Sequence, residues 1–224
     1  MAQRRHFART SMATAATALA VAAVVVSAAA RPETAGNAAS RQLAAELQIL
    51  RGDLGRLAQD PDLSRQNREG LNRRIEGALG LLPWLLRQAG DPQGADRLRP
   101  WQQRPLADAA SRAALTAELD AAIARFPIDR DAFLKPAPTA ARMSEARAIH
   151  DTYCAGCHDG AGSGARDVVL PARDLFLMAR REPPDLFLAR LINGVKGDAS
   201  IQFANPLTDG QIGALWHYYR GKAP

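Results

Sequence analysis

The residues of this chain whose types and spacing carry chemistry are its two cysteines and the histidine beside them. They lie in the run Cys154-Ala155-Gly156-Cys157-His158. On a helical turn the side chains of residues i and i+3 project to the same side, so both thiols can bond to the two vinyl groups of one porphyrin. The imidazole of His158 can then reach the iron, for which a neutral nitrogen donor is a suitable ligand. The spacing predicts one covalently attached c-type haem, held by Cys154 and Cys157, with His158 as the proximal iron ligand.

Three other uses of these cysteines agree less well with the sequence. A thioredoxin-like redox pair needs a strand and a helix around it, whereas residues 144–153 have a helical pattern that runs directly into the motif. A structural zinc ion usually takes four ligands, and the chain has 2 cysteines and 4 histidines in all. A disulfide bond across two intervening residues would be strained, and it would leave His158 without a role.

The N-terminal segment, residues 1–30, has the pattern of a secretory signal. Its first ten residues contain arginines, and residues 11–30 carry no charge and end in the small residues Ala28-Ala29-Ala30. A positive segment, an apolar segment and a small-residue cleavage site follow one another in this order in signal peptides. The sequence therefore predicts export to the periplasm. An uncleaved N-terminal membrane anchor is the alternative, because the uncharged segment approaches the length of a membrane span.

Apolar residues recur with a helical period over residues 38–59, where the spacing alternates between four and three positions. The stripe consists of Leu43, Leu47, Leu50, Leu54 and Leu57. A second helix is predicted after the turn at Pro61, with Asp62 or Ser64 as its N-cap, and Pro83 is expected to kink or end it. The first two helices should therefore pack as a hairpin.

A third helical stripe runs from Leu106 to Phe126, after a polar stretch that contains glycine and proline. Residues 38–127 thus predict three helices around a common core, and no spacing within them assembles titratable groups for chemistry. The segment from Phe133 to Thr139 holds Pro136 and Pro138 and predicts a stiff linker. The chain should therefore be all-α, with a signal or anchor over 1–30, a helical hairpin or three-helix domain over 31–132, a linker over 133–142 and a second helical domain over 143–224.

Beyond the cysteine motif, further stretches of the second domain follow in a characteristic order. They are a helix over 144–153, a glycine-rich loop after the motif, Leu170-Pro171, the run 188–194 and the run 207–220. With this order of features, residues 143–224 resemble a class I cytochrome c domain. The resemblance implies a helical, haem-binding fold for this part of the chain only. It leaves the helical domain over 31–132 without an assigned role.

The resemblance also implies roles for individual residues. Pro171 corresponds to the proline whose carbonyl accepts a hydrogen bond from the proximal histidine. Tyr153, Leu215 and Tyr218 correspond to the contact between the first and last helices of the domain, so they are expected in its core. The residues expected close to the haem, as a glycine loop and as apolar side chains that exclude water, are Gly160, Gly162, Gly164, Leu170, Leu191, Ile201 and Phe203.

The sequence departs from the family at the sixth iron ligand. Many relatives place a methionine in the loop before the last helix, and here Ser200 stands at that position. Serine is not a good haem ligand. Met178 is the best alternative donor, followed by His217, His150 and Met143, although the two histidines fit a packing or surface role better. The remaining alternative is an iron with an open or water-bound sixth position.

The expected function is that of an exported monohaem c-type cytochrome that transfers electrons and performs no side-chain catalysis. Its partner would be a redox protein, docked by the helical domain over 31–132. Two alternatives remain open: a haem module that binds or senses a small ligand at an open distal position, and an electron-accepting subunit of a larger oxidoreductase. Prompt binding of CO by the reduced protein would favour the ligand-binding alternative.

Net charge does not point to nucleic acid as a partner. The formal net charge is +6 at pH 7, and the isoelectric point is near 10.0. Arginines of the predicted signal supply part of this excess, and no nucleic-acid recognition motif is present. Membrane association is expected only if the N-terminal segment stays uncleaved.

Overall fold

The leucine stripe of the sequence forms the buried face of a long first helix. In the computed structural model this helix, α1, spans Ala35–Gln59, and a second helix, α2, spans Arg65–Gln88 and packs against it. All five leucines of the stripe are buried in a core that they share with α2. The Ser64 hydroxyl accepts a hydrogen bond from the Asn67 amide at 3.1 Å, so Ser64 is the N-cap. The predicted hairpin is confirmed.

The structure describes part of the chain. The described residues are 35–60, 63–106, 108–159, 172–194 and 205–221. Every regular element within these ranges is a helix or a helical turn, which confirms the all-α fold class. The predicted signal over 1–30 lies outside the described residues.

Pro83 does not end α2, which continues without interruption to Gln88. Proline has no N–H, so the carbonyl of Leu79, four residues earlier, loses its usual helical partner. The side-chain amide of Gln102, in a 3₁₀ turn over Arg99–Gln102, donates to that carbonyl at 3.2 Å. A tertiary contact that no local pattern reveals thus satisfies the carbonyl beside the proline.

The polar stretch after α2 contains a short helix that the sequence analysis missed. Helix α3 spans Pro92–Leu98, and Asp91 caps it by accepting from the Gly94 amide at 2.7 Å. Proline just inside a helix start and aspartate just before it are start signals as well as loop signals. The predicted third helix is α4, Ala109–Arg125.

The predicted linker over 133–142 is partly helical and partly buried. Helix α5 spans Arg130–Leu134, and Phe133 is buried. Its ring packs in a cluster to which Ala45 of α1 and Ile212 also belong. Phe133 therefore joins residues from before and after the linker in one core.

The C-terminal part of the chain consists of shorter helices. The helix predicted over 144–153 is observed as α6, Ala140–Ile149, which continues as a π-helical turn over His150–Cys154 and then as α7, Ala155–His158. The remaining helices are α8 (Leu175–Arg181), α9 (Pro184–Asn193) and α10 (Asp209–Gly221). The last of these packs against α6, α5, α8 and α9.

The described helices belong to one compact unit. Helix α1 lies against α9, and α5 lies against α10, so residues on both sides of the predicted linker share a core. That residues 31–132 and 143–224 are separate domains stays a prediction about their independent folding.

Candidate functional site

The two cysteines and His158 lie on consecutive helical turns. Cys154 is the last residue of the π-helical turn, and Cys157 and His158 belong to α7. Cys154 is half-buried and Cys157 is exposed, and both are free thiols. The backbone therefore presents two unbonded thiols three positions apart, with the imidazole directly after the second.

A main-chain carbonyl determines how the His158 ring can act. The Nδ1 atom of His158 lies 2.6 Å from the carbonyl oxygen of Arg173. Because a carbonyl only accepts, Nδ1 carries the proton and donates, which leaves the lone pair of a neutral imidazole on Nε2. A ligating histidine is typically oriented by a hydrogen bond of this kind, which also raises its basicity. Pro171, the expected acceptor, lies outside the described residues, and Arg173 takes the role two positions later.

The side chain of Arg173 is held by a chain of ion pairs that the sequence analysis did not find. Glu182 accepts from Arg173 at 2.6 Å through one carboxylate oxygen and from Arg190 at 2.8 Å through the other. Arg190 also donates to Asp53 at 3.1 Å, and Arg74 donates to the same carboxylate at 2.6 Å. These ion pairs thus link Arg173, whose carbonyl accepts the His158 proton, to α9, α1 and α2.

This group of charges is largely withdrawn from solvent. The side chain of Asp53 is 1% exposed, and those of Glu182 and Arg190 are 10% and 11% exposed. Burial lowers the pKa of the Arg173 guanidinium, and the charge of Glu182 opposes that effect. The paired residues Asp53 and Arg190 lie 137 positions apart in sequence, so no local spacing could have identified these ion pairs.

A second buried group lies beside Cys154. His150 is 3% exposed, with its Nδ1 atom 3.0 Å from the Tyr219 hydroxyl and its Nε2 atom 3.4 Å from an Asp159 carboxylate oxygen. The Tyr219 hydroxyl also interacts with the Cys154 thiol. Burial raises the pKa of both the Tyr219 hydroxyl and the Cys154 thiol, so both stay protonated at neutral pH. The expected packing role of His150 is confirmed.

The expected core role of Tyr153 is wrong, because its side chain is 74% exposed. The π-helical turn over 150–154 adds about one residue to the helical turn and so rotates the following side chains relative to an α-helix. Tyr219 is buried beside Cys154 instead, together with the correctly predicted Leu215 and Tyr218.

The candidate sixth ligands have different surroundings. Met178 is buried in the core of the C-terminal helices, and Met143 packs against the same core. Both ring nitrogens of His150 have partners, as described above. The Nε2 atom of His217 is buried, and no hydrogen-bond partner for it is present among the described residues. Ser200 lies outside the described residues, so the sixth ligand stays a prediction.

Most of the residues expected near the haem fall outside the described ranges. They are Gly160, Gly162, Gly164, Leu170, Ile201 and Phe203. Leu191, on α9, is described and packs half-buried against the C-terminal core. In the described ranges no helix is long and apolar enough to span a bilayer, and no three side chains among histidine, cysteine, aspartate and glutamate form a metal-binding group.

Comparison with known proteins identifies no relative of this chain. No protein-family model matches the sequence, no curated protein is similar to it, and no solved structure matches it.

Proposed function

We propose that this protein is an exported monohaem c-type cytochrome that transfers electrons, with haem bonded to Cys154 and Cys157 and with His158 as the proximal iron ligand. The observation that carries the proposal is the hydrogen bond from His158 Nδ1 to the Arg173 carbonyl. It directs the ring proton away from Nε2, the nitrogen that would bind iron. An isolated surface histidine would have no such fixed orientation.

The residues present fit a covalently attached haem. Formation of two thioether bonds requires two reduced thiols, and both cysteines are free. The exposure of Cys157 leaves its sulfur accessible, while Cys154 is half-buried and interacts with Tyr219. Iron ligation requires a neutral imidazole nitrogen, and the tautomer imposed by Arg173 provides one.

The protein groups of this site would bind, orient and shield. The haem iron, when bound, would supply the one-electron chemistry. Cys154 and Cys157 would anchor the macrocycle, and His158 would hold the iron at a fixed ring orientation. Tyr219 and His150, both buried, would exclude water beside the Cys154 sulfur. The exposed surface around Cys157 would be available to a redox partner protein that gives or takes the electron.

Export to the periplasm supports this assignment from an independent part of the sequence. Residues 1–30 have the pattern of a secretory signal, and c-type haem is attached outside the cytoplasm. The signal and the motif thus predict the same compartment.

Covalent haem is the first property to test. The full chain would be produced in a host that attaches c-type haem, separated on a denaturing gel and stained for haem peroxidase activity. The stain should remain with the wild-type chain and disappear in the Cys154→Ala, Cys157→Ala double variant. His217→Gln is the matched control and should keep the stain. A wild-type chain without covalent haem would contradict the proposal.

A ligand-binding haem protein is the second candidate function, and Ser200 favours it, because this residue stands where many class I cytochromes place the methionine that binds the iron. An iron without a sixth protein ligand can bind small molecules. Absorption spectra of the reduced protein with and without CO distinguish the candidates: an unchanged spectrum supports electron transfer, and prompt CO binding supports the second candidate.

A further inference from the structure

We infer that the N-terminal helical hairpin sets the ligand strength of His158 through the buried ion pairs from Asp53 to Arg173. This inference rests on the proposed function and assigns positioning roles to Asp53, Arg190 and Glu182. Among the described residues, no hydrogen bond or ion pair joins any of these three side chains to the Cys154–His158 segment. They act on it through Arg173, whose carbonyl accepts the His158 proton.

The position of the Arg173 carbonyl depends on the side chain of the same residue. Arg173 lies in the irregular segment before α8 and is not part of a helix that would fix its backbone. Its guanidinium is fixed by Glu182, the residue directly after α8. The two ends of α8 are thus joined by one ion pair, which holds the Arg173 carbonyl 2.6 Å from His158 Nδ1.

Glu182 is itself held in position by other residues of the ion-pair group. Its second carboxylate oxygen binds Arg190 of α9, and Arg190 binds Asp53 of α1. Asp53 in turn receives two hydrogen bonds from Arg74 of α2, one to each carboxylate oxygen. The hairpin of α1 and α2 therefore holds Asp53 in place, and Arg190 joins the carboxylates of Asp53 and Glu182.

Because these ion pairs are buried, the loss of a single charge should disturb the others. A buried ion pair that loses one partner leaves a charge without solvent and without compensation, which is strongly unfavourable. With Asp53 at 1% exposure and Arg190 at 11%, loss of the Asp53 charge should force Arg190 to seek water or to draw Glu182 away from Arg173. Either rearrangement moves or frees the Arg173 carbonyl.

Both consequences of losing Asp53 change the reduction potential in the same direction. A weaker hydrogen bond at Nδ1 makes His158 a poorer electron donor to iron, which favours the reduced state. Removal of a buried negative charge also disfavours the more positive, oxidised haem. The potential should therefore rise.

The test is an equilibrium redox titration of the full haem-loaded chain. Asp53→Asn should change the equilibrium constant for reduction about threefold in favour of the reduced form, a shift of about 30 mV at 59 mV per tenfold change. Glu182→Gln should shift the potential in the same direction. The matched control is Asp120→Asn, which removes the same charge from an exposed pair between Asp120 and Arg51 of α1 and should leave the potential unchanged.

A second measurement separates positioning from loss of stability. Exchange of the His158 ring Nδ1 proton with water, followed by NMR, should be slow in the wild-type chain and faster in Asp53→Asn, and the apoprotein can be measured in the same way. Arg190→Lys keeps the charge but cannot bridge both carboxylates in the same way, so it should also speed exchange. This variant serves the test if Asp53→Asn does not fold.

The outcomes distinguish this inference from the proposed function. A haem-loaded wild-type chain whose variants match Asp120→Asn in both potential and proton exchange would overturn the inference and leave the proposed function intact. A wild-type chain without covalent haem would overturn both.

Discussion

Single residues determine the hydrogen bonding around the candidate haem site. The acceptor for His158 is a main-chain carbonyl, so no substitution of the Arg173 side chain can remove it; such a substitution can only move it. The polar partners of His150 are the side chains of Tyr219 and Asp159, which substitution can delete. The two histidines should therefore respond differently to mutation.

Tyr219→Phe should destabilise the protein, because it removes the hydroxyl that is hydrogen-bonded to the buried His150. A buried polar group that loses its partner costs about 1–3 kcal/mol, and His150 is 3% exposed. Urea unfolding of the two chains measures the difference. Tyr153→Phe is the matched control: its side chain is 74% exposed, so the change should stay within about 0.5 kcal/mol. Equal effects of the two substitutions would contradict the assigned role of Tyr219.

Some residues of this site could be predicted from local spacing in the sequence, and others are brought together only by tertiary packing. Cys154, Cys157 and His158 follow from a spacing of five residues, because their chemistry is local. The burial of Tyr219 in place of Tyr153 depends on a π-helical turn, for which the sequence carries no recognised signal. Asp53 and Arg190 meet only after α1 and α9 have packed together, so periodicity and spacing could not place them together.

At the scale of helices, α10 and α5 approach each other closely at Gly213. A Cβ atom on Gly213 of α10 would lie 1.9 Å from the carbonyl oxygen of Phe133, which is far inside van der Waals contact. The obstructing atom belongs to the backbone, so it cannot move aside by a change of rotamer. Glycine is therefore required at position 213 by packing, and its side-chain-free surface sets the distance between the two helices.

Gly213→Ala should destabilise the protein by about 1–3 kcal/mol, the usual cost of overpacking a core. Gly77→Ala is the matched control, because Gly77 is exposed within α2 and a Cβ atom there has open space. That substitution should stabilise the protein by about 0.5–1 kcal/mol through helix propensity. Thermal unfolding followed by circular dichroism measures both, and the same sign for the two variants would contradict the packing described for α10.

Helices were predictable where their signals were local. The leucine stripe of α1 and the Ser64 cap of α2 confirm the predictions because period and capping act within a few residues. The continuation of α2 through Pro83 was not predictable, since it depends on Gln102, which donates to the Leu79 carbonyl from outside the helix. Helix α3 was not predicted because it lies in the polar stretch with glycine and proline after α2, where Asp91 is the N-cap and Pro92 the first helical residue.

At the scale of the whole molecule, the predicted domain boundary crosses a shared core. Ala45 of α1 and Phe133 of α5 pack with Leu188, Ala189 and Ile212 of the C-terminal helices. The contact between α1 and α9 is also close at Gly52, where a Cβ atom would lie 2.5 Å from a methyl group of Leu186. The ion pair between Asp53 and Arg190 lies in this same contact, so apolar packing and buried charge both join the two parts of the chain.

A fragment that begins at Ala140 should not fold cooperatively without the preceding helices. The fragment lacks α1–α5. It would therefore expose Leu188, Ala189 and Ile212, all of which are 0% exposed in the full chain, and Arg190 would lose its partner Asp53. An apolar surface of this kind and an uncompensated charge both disfavour the folded fragment. We expect a broad thermal transition for fragment 140–224 and a sharp one for the full chain, measured by circular dichroism on haem-loaded samples. A sharp transition of the fragment would instead establish residues 143–224 as a domain that folds independently, and the contacts of α1 and α5 would then modify its haem site without being needed for its fold.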